Sequence, residues 1–282
     1  MSEIRRNGRS STNVPALDRG LQYGDGLFET MRVRAHRIAL LELHLQRLAE
    51  GCGRLALPLP AGATLRREIR QACRRWPDAV LKLIVTRGVG PRGYRAPAAC
   101  RPARLLIGEP YPAAPQPAAV RVRVCATRVS ENPALAGLKT LNRLDSVLAR
   151  SEWRDPRIQE GLMRDHAGMI VCGTMTNVFA SLRGRLITPA LDRGGVNGVM
   201  RRWVLQHARD LGLNVAEGRL AISDLQKADE IFLTNAVVGI WPVAALVLPS
   251  RCVRPQGHEA ATALKAGFQR FLEQDAARKR RA

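Results

Sequence analysis

Lysine is scarce in this chain. Only five occur among 45 basic residues, at Lys82, Lys139, Lys227, Lys265 and Lys279, so the other forty are arginines. Lys139 is set apart by its neighbours. It lies in Asn132-Pro-Ala-Leu-Ala-Gly-Leu-Lys-Thr-Leu-Asn142, flanked by Leu138, Leu141 and Leu144, behind Gly137 and ahead of a helical pattern. An amine in apolar surroundings loses the hydration that stabilises its charge, so its pKa falls and it becomes a nucleophile suited to Schiff-base chemistry. A lysine snorkelling to water from a helix start is the ordinary alternative, and the residue types leave both open.

A second pattern, Gly88-Val-Gly-Pro-Arg-Gly93, matches G-x-G-x-x-G behind a strand. A dinucleotide site requires a helix to start there, so that its free amides meet the pyrophosphate. Pro97 and Pro102 forbid one. With Arg87, Arg92 and Arg95 around Tyr94, the segment reads instead as a flexible, cationic lip for a substrate.

The composition excludes other classes. A hydrophobic fraction of 46% with 24% charged residues describes a globular chain, not a disordered or fibrous one. Net charge is +21, but the arginines are scattered through periodic segments and aromatics make up only 4%. Stacking platforms and recognition motifs for nucleic acid are absent, so no specific nucleic-acid partner is expected and small anionic substrates are the better use of the charge. The dense run Arg278-Lys279-Arg280-Arg281 reads as a frayed, solvated tail. The longest uncharged apolar stretch, Ala236 to Pro249, is too short for a bilayer and contains Pro242. No secretory leader is expected at the N-terminus. Cys52, Cys73, Cys100, Cys125, Cys172 and Cys252 show no C-x-x-C pair, which fits reduced thiols in a cytoplasmic protein.

The elements that must position these residues alternate between strand and helix. Strands are predicted at 27–34, 37–41, 79–87, 103–107, 120–124, 160–164, 168–172, 176–182, 185–188, 229–234 and 241–248. Helices are predicted at 41–56 (Leu41, Leu45, Leu48, Cys52, Leu55), at 63–75, from Leu141 through Leu144, Val147 and Leu148, from Val199 through Trp203, His207 and Leu211, and at 258–278. Four prolines between 109 and 119 mark a domain boundary. The expected organisation is α+β and two-lobed: an N-terminal α/β lobe over 1–112, a linker over 113–119 and a larger C-terminal lobe over 120–282.

Several motifs fall along this frame in unbroken order. They are Asp18-Arg-Gly-Leu-Gln-Tyr-Gly-Asp-Gly-Leu-Phe-Glu-Thr30, Leu43-His-Leu-Gln-Arg47, Ala136-Gly-Leu-Lys-Thr-Leu-Asn-Arg-Leu144, Gly173-Thr-Met-Thr-Asn177, Gly195-Val-Asn-Gly-Val-Met-Arg201, Asp229-Glu-Ile-Phe-Leu-Thr-Asn-Ala236 and Trp241-Pro-Val243. Together they resemble the fold-type IV pyridoxal-phosphate enzymes over about residues 12–250. That family holds branched-chain and D-amino-acid aminotransferases together with a lyase of aminodeoxychorismate. The segments around Lys139, Arg87–Tyr94 and Gly195–Arg201 are most similar to the lyase, which forms 4-aminobenzoate and pyruvate in folate biosynthesis.

The resemblance implies a pyridoxal 5'-phosphate cofactor between two lobes of a homodimer. It implies that Lys139 binds the cofactor covalently and later shuttles a proton at the substrate carbon, and that Arg47 binds the phosphate. Val199 and Met200, at a helix start, and the loop Thr234-Asn235-Ala236 are the other phosphate positions. Thr30 is a candidate proton relay and Asn177 either orients the ring or holds a turn. Arg92, Tyr94 and Arg32 are candidates for the substrate's carboxylates. One departure is plain: where the family places a glutamate facing the pyridine nitrogen, before the Gly-Thr pair, this chain has Cys172, which weakens the electron sink. A fold-type IV aminotransferase and a basic anion-binding protein without catalysis remain as alternatives.

Overall fold

A computed structural model describes residues 3–113 and 116–281, with the backbone alone for 278–281. The chain divides into two compact units, Met1–Pro115 with Leu138–Arg143, and Gln116–Gly137 with Leu144–Ala282. The sequence assigned 138–143, and with it Lys139, to the C-terminal lobe. In the structure those six residues group with the first unit, where the backbone of Lys139 and Leu141 is hydrogen-bonded to Phe28 and Gly26.

In the first unit six strands form an antiparallel sheet in the order Arg9–Ser10, Glu3–Arg6, Ala103–Pro110, Asp78–Thr86, Gly26–Arg34 and Arg37–Ile38. Alternation divides the central strand Gly26–Arg34. Leu27, Glu29, Met31 and Val33 are buried on one face, while Phe28 and Thr30 on the other are half-buried. The buried face meets the amphipathic helices Leu41–Arg54 and Gly62–Arg75, whose Leu48, Cys52, Leu65, Ile69 and Cys73 complete the core.

The segment carrying Lys139 runs along the free edge of that strand. Phe28 donates its N–H to the Lys139 carbonyl at 3.0 Å, and Leu141 donates to the Gly26 carbonyl at 3.1 Å. Gly26 permits this approach. A Cβ there would stand 2.5 Å from the Val85 carbonyl oxygen and 2.9 Å from Leu141 Cδ1.

The second unit is built on a mixed sheet in the order Asn214–Gly218, Arg185–Pro189, Asn177–Leu182, Glu230–Asn235, Gly239–Val247, Val120–Arg128, Glu160–Arg164 and Ile170–Gly173, with Cys252–Val253 paired to Gly239–Val247. Helices Leu144–Arg150, Val199–His207, Ile222–Lys227 and Glu259–Arg281 belong to it. The buried carboxylate of Glu230 accepts from the N–H groups of Ala260 and Ala261, anchoring the start of the last helix where its dipole favours a negative charge. That helix runs to Arg281, so the terminal basic run is helical in its backbone rather than frayed. Helix Leu144–Arg150 starts later than expected, and its Leu144, Val147 and Leu148 are exposed instead of buried.

The tight crossing at Gly26 is testable against a glycine with open space. Gly26→Ala should lower stability by about 1–3 kcal/mol through overpacking. Gly53→Ala, whose Cβ meets nothing within 4 Å inside a helix, should raise it by about 0.5–1 kcal/mol. Thermal unfolding of the two variants should therefore move Tm in opposite directions.

Candidate active site

Burial places Glu29 in a position where a carboxylate needs partners. Helix Leu41–Arg54 supplies them from one face: His44 and Arg47, three residues apart, both point at it. His44 Nδ1 lies 2.6 Å from Glu29 Oε2, Arg47 Nε donates to Oε1 at 2.8 Å, and a terminal guanidinium nitrogen of Arg47 donates to Oε2 at 2.5 Å. Burial alone would raise the Glu29 carboxyl. The Arg47 charge and the hydrogen bonds from His44 and Arg47 overcome it and hold the group at about 2. Burial lowers His44 against the pull of Glu29, so the imidazole is neutral and donates from Nδ1. Arg47, 5% exposed, is no surface arginine of an amphipathic helix.

Lys139 lies beside this pair. Its Nζ sits over the Phe28 ring, 4.2 Å from the centroid, and Lys82 Nζ sits over the same ring at 5.1 Å. Lys139 keeps partial exposure as a residue while its amine is enclosed by protein. Desolvation lowers the amine, the charges of Arg47, Arg143 and Lys82 lower it further, and Glu29 opposes them. The result is about 7 in place of 10.5. A substantial fraction of the Lys139 amines is then neutral at pH 7, against fewer than about one in a thousand for an ordinary lysine.

Other expected residues are engaged elsewhere. Arg32 donates to the Val33 and Ala79 carbonyls, pairs with Asp78 and covers the Tyr111 ring with its guanidinium carbon 3.4 Å from the centroid. Every one of these contacts fixes the strand end, so the structure shows Arg32 as a clamp there.

The Gly88–Cys100 loop is tethered rather than flexible. Arg19 donates to the Gly93 and Tyr94 carbonyls, the Gly93 N–H donates to the Tyr23 hydroxyl, and Tyr23 and Tyr94 meet edge to face at 5.5 Å. Arg92 and Tyr94 are exposed on it, Tyr94 at 88%. Arg87 does not belong to this lip. It is buried, binds Asp25 at 2.7 Å and donates to the Leu55 and Ala56 carbonyls.

The second unit contributes backbone positions held by side chains. Asn177 donates to the Val196 carbonyl at 2.8 Å and accepts from the Gly198 N–H at 3.2 Å, so it holds the turn before helix Val199–His207. Gly198 is required there, because its Cβ would lie 2.1 Å from Asn177 Oδ1. No side chain caps this helix, and the side chains of Val199 and Met200 are buried, which leaves their amides as the groups that can meet an anion. Asn235 stitches its own turn, accepting from the Val237 and Val238 N–H groups at 2.8 Å. Thr234 beside it is fully buried, and its hydroxyl has no hydrogen-bond partner among the described residues.

Cys172 lies buried in the strand Ile170–Gly173. The nearby carboxylate that the sequence did not single out is Glu160. It accepts from the N–H groups of Gly161, Thr174 and Met175 and from the hydroxyls of Thr174 and Thr176, fixing the turn that follows Cys172. With five donors already on its two oxygens, it serves as a structural anchor.

This arrangement matches known proteins. Residues 26–246 match the family described as amino-transferase class IV. The chain belongs to that family. A crystal structure of 4-amino-4-deoxychorismate lyase from Pseudomonas aeruginosa superposes with a TM-score of 0.88 at 46% identity, covering 94% of this chain and 98% of that one. Aminodeoxychorismate lyase of Vibrio harveyi is 32% identical over 246 residues, 86% of this chain and 91% of its own length. D-alanine aminotransferase of Bacillus licheniformis is 28% identical over 245 residues, 84% of each. The fold is therefore that of a class IV aminotransferase-family member, mixed α/β and two-lobed.

Glu29 and His44 stand inside motifs read from the sequence, yet neither had a role there. The signal was a carboxylate on the apolar face of a strand, which only a buried cation or donor can satisfy. Lysine labelling tests the cluster. An amine-selective acylating reagent should modify Lys139 with a midpoint near pH 7. Glu29→Gln should move that midpoint lower, because the removed carboxylate is the group that raises the amine.

Proposed function

We propose that this chain is a pyridoxal-phosphate-dependent lyase that converts 4-amino-4-deoxychorismate to 4-aminobenzoate and pyruvate. The observation that carries the reading is the 46% identity to the Pseudomonas aeruginosa lyase over nearly the whole of both chains. The donor set fits the cofactor: an enclosed lysine amine at about 7, a buried arginine, an uncapped helix start and an orphaned buried hydroxyl.

Lys139 is the covalent attachment point, and its lowered pKa supports the reading by keeping a substantial fraction of the amine neutral at pH 7. After substrate binding, Lys139 Nζ takes the proton from the carbon bearing the substrate's amine and gives it to the departing three-carbon unit that leaves as pyruvate, since that carbon is aromatic and carries no hydrogen in 4-aminobenzoate, with Thr30 on the strand face of Phe28 as a relay. Arg47, already oriented by Glu29, is the first unit's candidate for the phosphate; in the second unit the candidates are the amides of Val199, Met200 and Ala236 and the hydroxyl of Thr234. Asn177 and Asn235 act through the turns they hold. When bound, the cofactor supplies the electron sink for the carbon that carries the amine. Cys172 gives the pyridine nitrogen no anionic partner, so that sink is weaker than a carboxylate would make it. Expulsion of the leaving group and aromatisation of the ring drive the lyase reaction forward without a strong sink. Arg92 and Tyr94 on the tethered loop are held in reserve as contacts for the entering substrate.

The same reading carries a homodimer in the cytoplasm. The six cysteines form no disulfide among the described residues, which supports a reducing compartment, and burial pushes Cys52 and Cys73 up to about 11 and Cys125 to about 12, which leaves these thiols unreactive. A small molecule, not nucleic acid, is the partner. Among the described residues no helix is long and apolar enough to cross a membrane.

Incubation with 4-amino-4-deoxychorismate should yield 4-aminobenzoate and pyruvate in equal amounts, and Lys139→Ala should form neither. Amino transfer to 2-oxoglutarate without 4-aminobenzoate would instead make the chain an aminotransferase. Cys172→Glu should raise transamination more than lyase turnover, and the opposite order would remove the explanation given for the missing carboxylate.

A further inference from the structure

The loop Gly88–Cys100 carries Arg92 and Tyr94, and an exposed loop holds a fixed place only where buried groups tie it down. Here the ties converge on one carboxylate. Asp25 Oδ2 accepts from Arg19 Nε at 2.9 Å and from Arg87 Nε at 2.7 Å. The backbone repeats both links. The Asp25 N–H donates to the Arg19 carbonyl at 3.3 Å, and the Asp25 carbonyl accepts from the Arg87 N–H at 3.1 Å. Gly24, with φ of 66°, ends the short helix Arg19–Tyr23 in the left-handed region and turns the chain into Asp25.

The two guanidiniums direct their remaining nitrogens to different parts of the unit. Arg19 donates to the Gly93 and Tyr94 carbonyls at 2.8 and 3.0 Å, in the loop. Arg87 donates to the Leu55 and Ala56 carbonyls at 2.9 and 2.8 Å, at the end of helix Leu41–Arg54. That helix holds His44 and Arg47 against Glu29. One carboxylate thus joins the loop to the helix that carries the buried arginine. Both guanidiniums are nearly enclosed, with side chains 4% and 7% exposed. Two such charges sharing one oxygen repel each other unless that oxygen is anionic. Burial raises the Asp25 carboxyl, but the hydrogen bonds from Arg87 and Arg19 outweigh it, so the group stays ionised.

We infer that Asp25 is a positioning residue, whose carboxylate holds Arg19 in the pose that fixes the loop and so sets where Arg92 and Tyr94 stand relative to helix Leu41–Arg54. The inference rests on the lyase reading for the identity of the substrate. Asp25→Asn keeps the shape of the side chain and removes its charge. Arg19 is then the partner that gives way, because its other acceptors lie on an exposed loop, whereas those of Arg87 belong to a helix end.

Trypsin reads the state of the loop, since Arg92 and Arg95 are exposed on it. In the cofactor-loaded protein, Asp25→Asn should be cut after Arg92 or Arg95 about tenfold faster than the wild type or more, with the rest of the chain left intact. Its KM for 4-amino-4-deoxychorismate should rise several-fold with kcat changed far less, a split that a loss of folded protein would not produce. Arg19→Lys keeps a cation beside Asp25 but lacks the fork that reaches both loop carbonyls. It should show the same two effects, and it carries the test if Asp25→Asn does not fold. Cutting and KM both equal to those of the wild type would overturn the inference. Faster cutting with KM unchanged would overturn it too, since the loop's position would then not matter to the substrate. A wild type that transaminates without forming 4-aminobenzoate, with KM for the amino donor raised in Asp25→Asn, would leave the positioning role standing and remove the lyase reading instead.

Discussion

The first unit is organised around the neutralisation of one buried carboxylate. An ionised glutamate taken out of water without partners carries a penalty of several kcal/mol, and it would protonate instead. Glu29 stays ionised because Arg47 and His44 reach it from one helix face with three hydrogen bonds. This pairing fixes how close helix Leu41–Arg54 lies to strand Gly26–Arg34. It also determines what Lys139 experiences, since an ion pair of Glu29 with Arg47 leaves little net negative charge to hold a proton on the lysine. Desolvation and the further cations Arg143 and Lys82 then prevail. A lone Glu29 would keep the lysine charged, and a lone Arg47 would oppose burial of the pair.

The second unit works by a different physics. Its contribution is backbone, and side chains hold that backbone in place. Asn177 spans from Val196 to Gly198, Glu160 gathers five donors from the Gly161–Thr176 region, and Arg201 ties Asn197 to the Pro189 carbonyl and to Glu217. Amides presented this way carry partial positive charge that does not titrate and need not be desolvated anew for each ligand. The unit's buried Val199 and Met200 side chains anchor the helix while their amides stay at its open end. Titratable chemistry is concentrated in the first unit and fixed dipoles in the second.

How much of this was legible in the sequence depended on the range of the interaction that decides each point. Periodicity carried the long elements: 41–56 became Leu41–Arg54, 63–75 became Gly62–Arg75 and 79–87 became Asp78–Thr86. The strands Glu3–Arg6 and Arg9–Ser10 were missed because arginines occupy half or more of their positions, and their pairing to Ala103–Pro110 spans most of the unit. The apolar run Leu144, Val147, Leu148 has helical spacing but lies on an exposed face, so spacing gave the helix without its burial. The neighbours of Lys139 pointed to an amine of lowered pKa, which burial in the structure supplies, whereas its unit was not legible, since only the hydrogen bonds to Gly26 and Phe28 decide that. Arg32 and Lys82 show the same limit. Both alternate onto one sheet face, and only Asp78 and Tyr111, brought in by the fold, separate the clamp from the exposed cation.

The scarcity of lysine is consistent with this division of labour. A guanidinium never loses its proton in a protein and binds carboxylates through two parallel N–H groups, so arginine is the residue for permanent clamps. The chain uses it so at Arg104 with Glu68, Arg66 with Glu42 and Arg157 with Asp155, as well as at Glu29 and Asp25. A nucleophile must be able to deprotonate, so the role proposed for Lys139 excludes arginine there whatever the surrounding charge. Two of the five lysines, Lys82 and Lys139, thus share the Phe28 ring in a chain that otherwise relies on arginine.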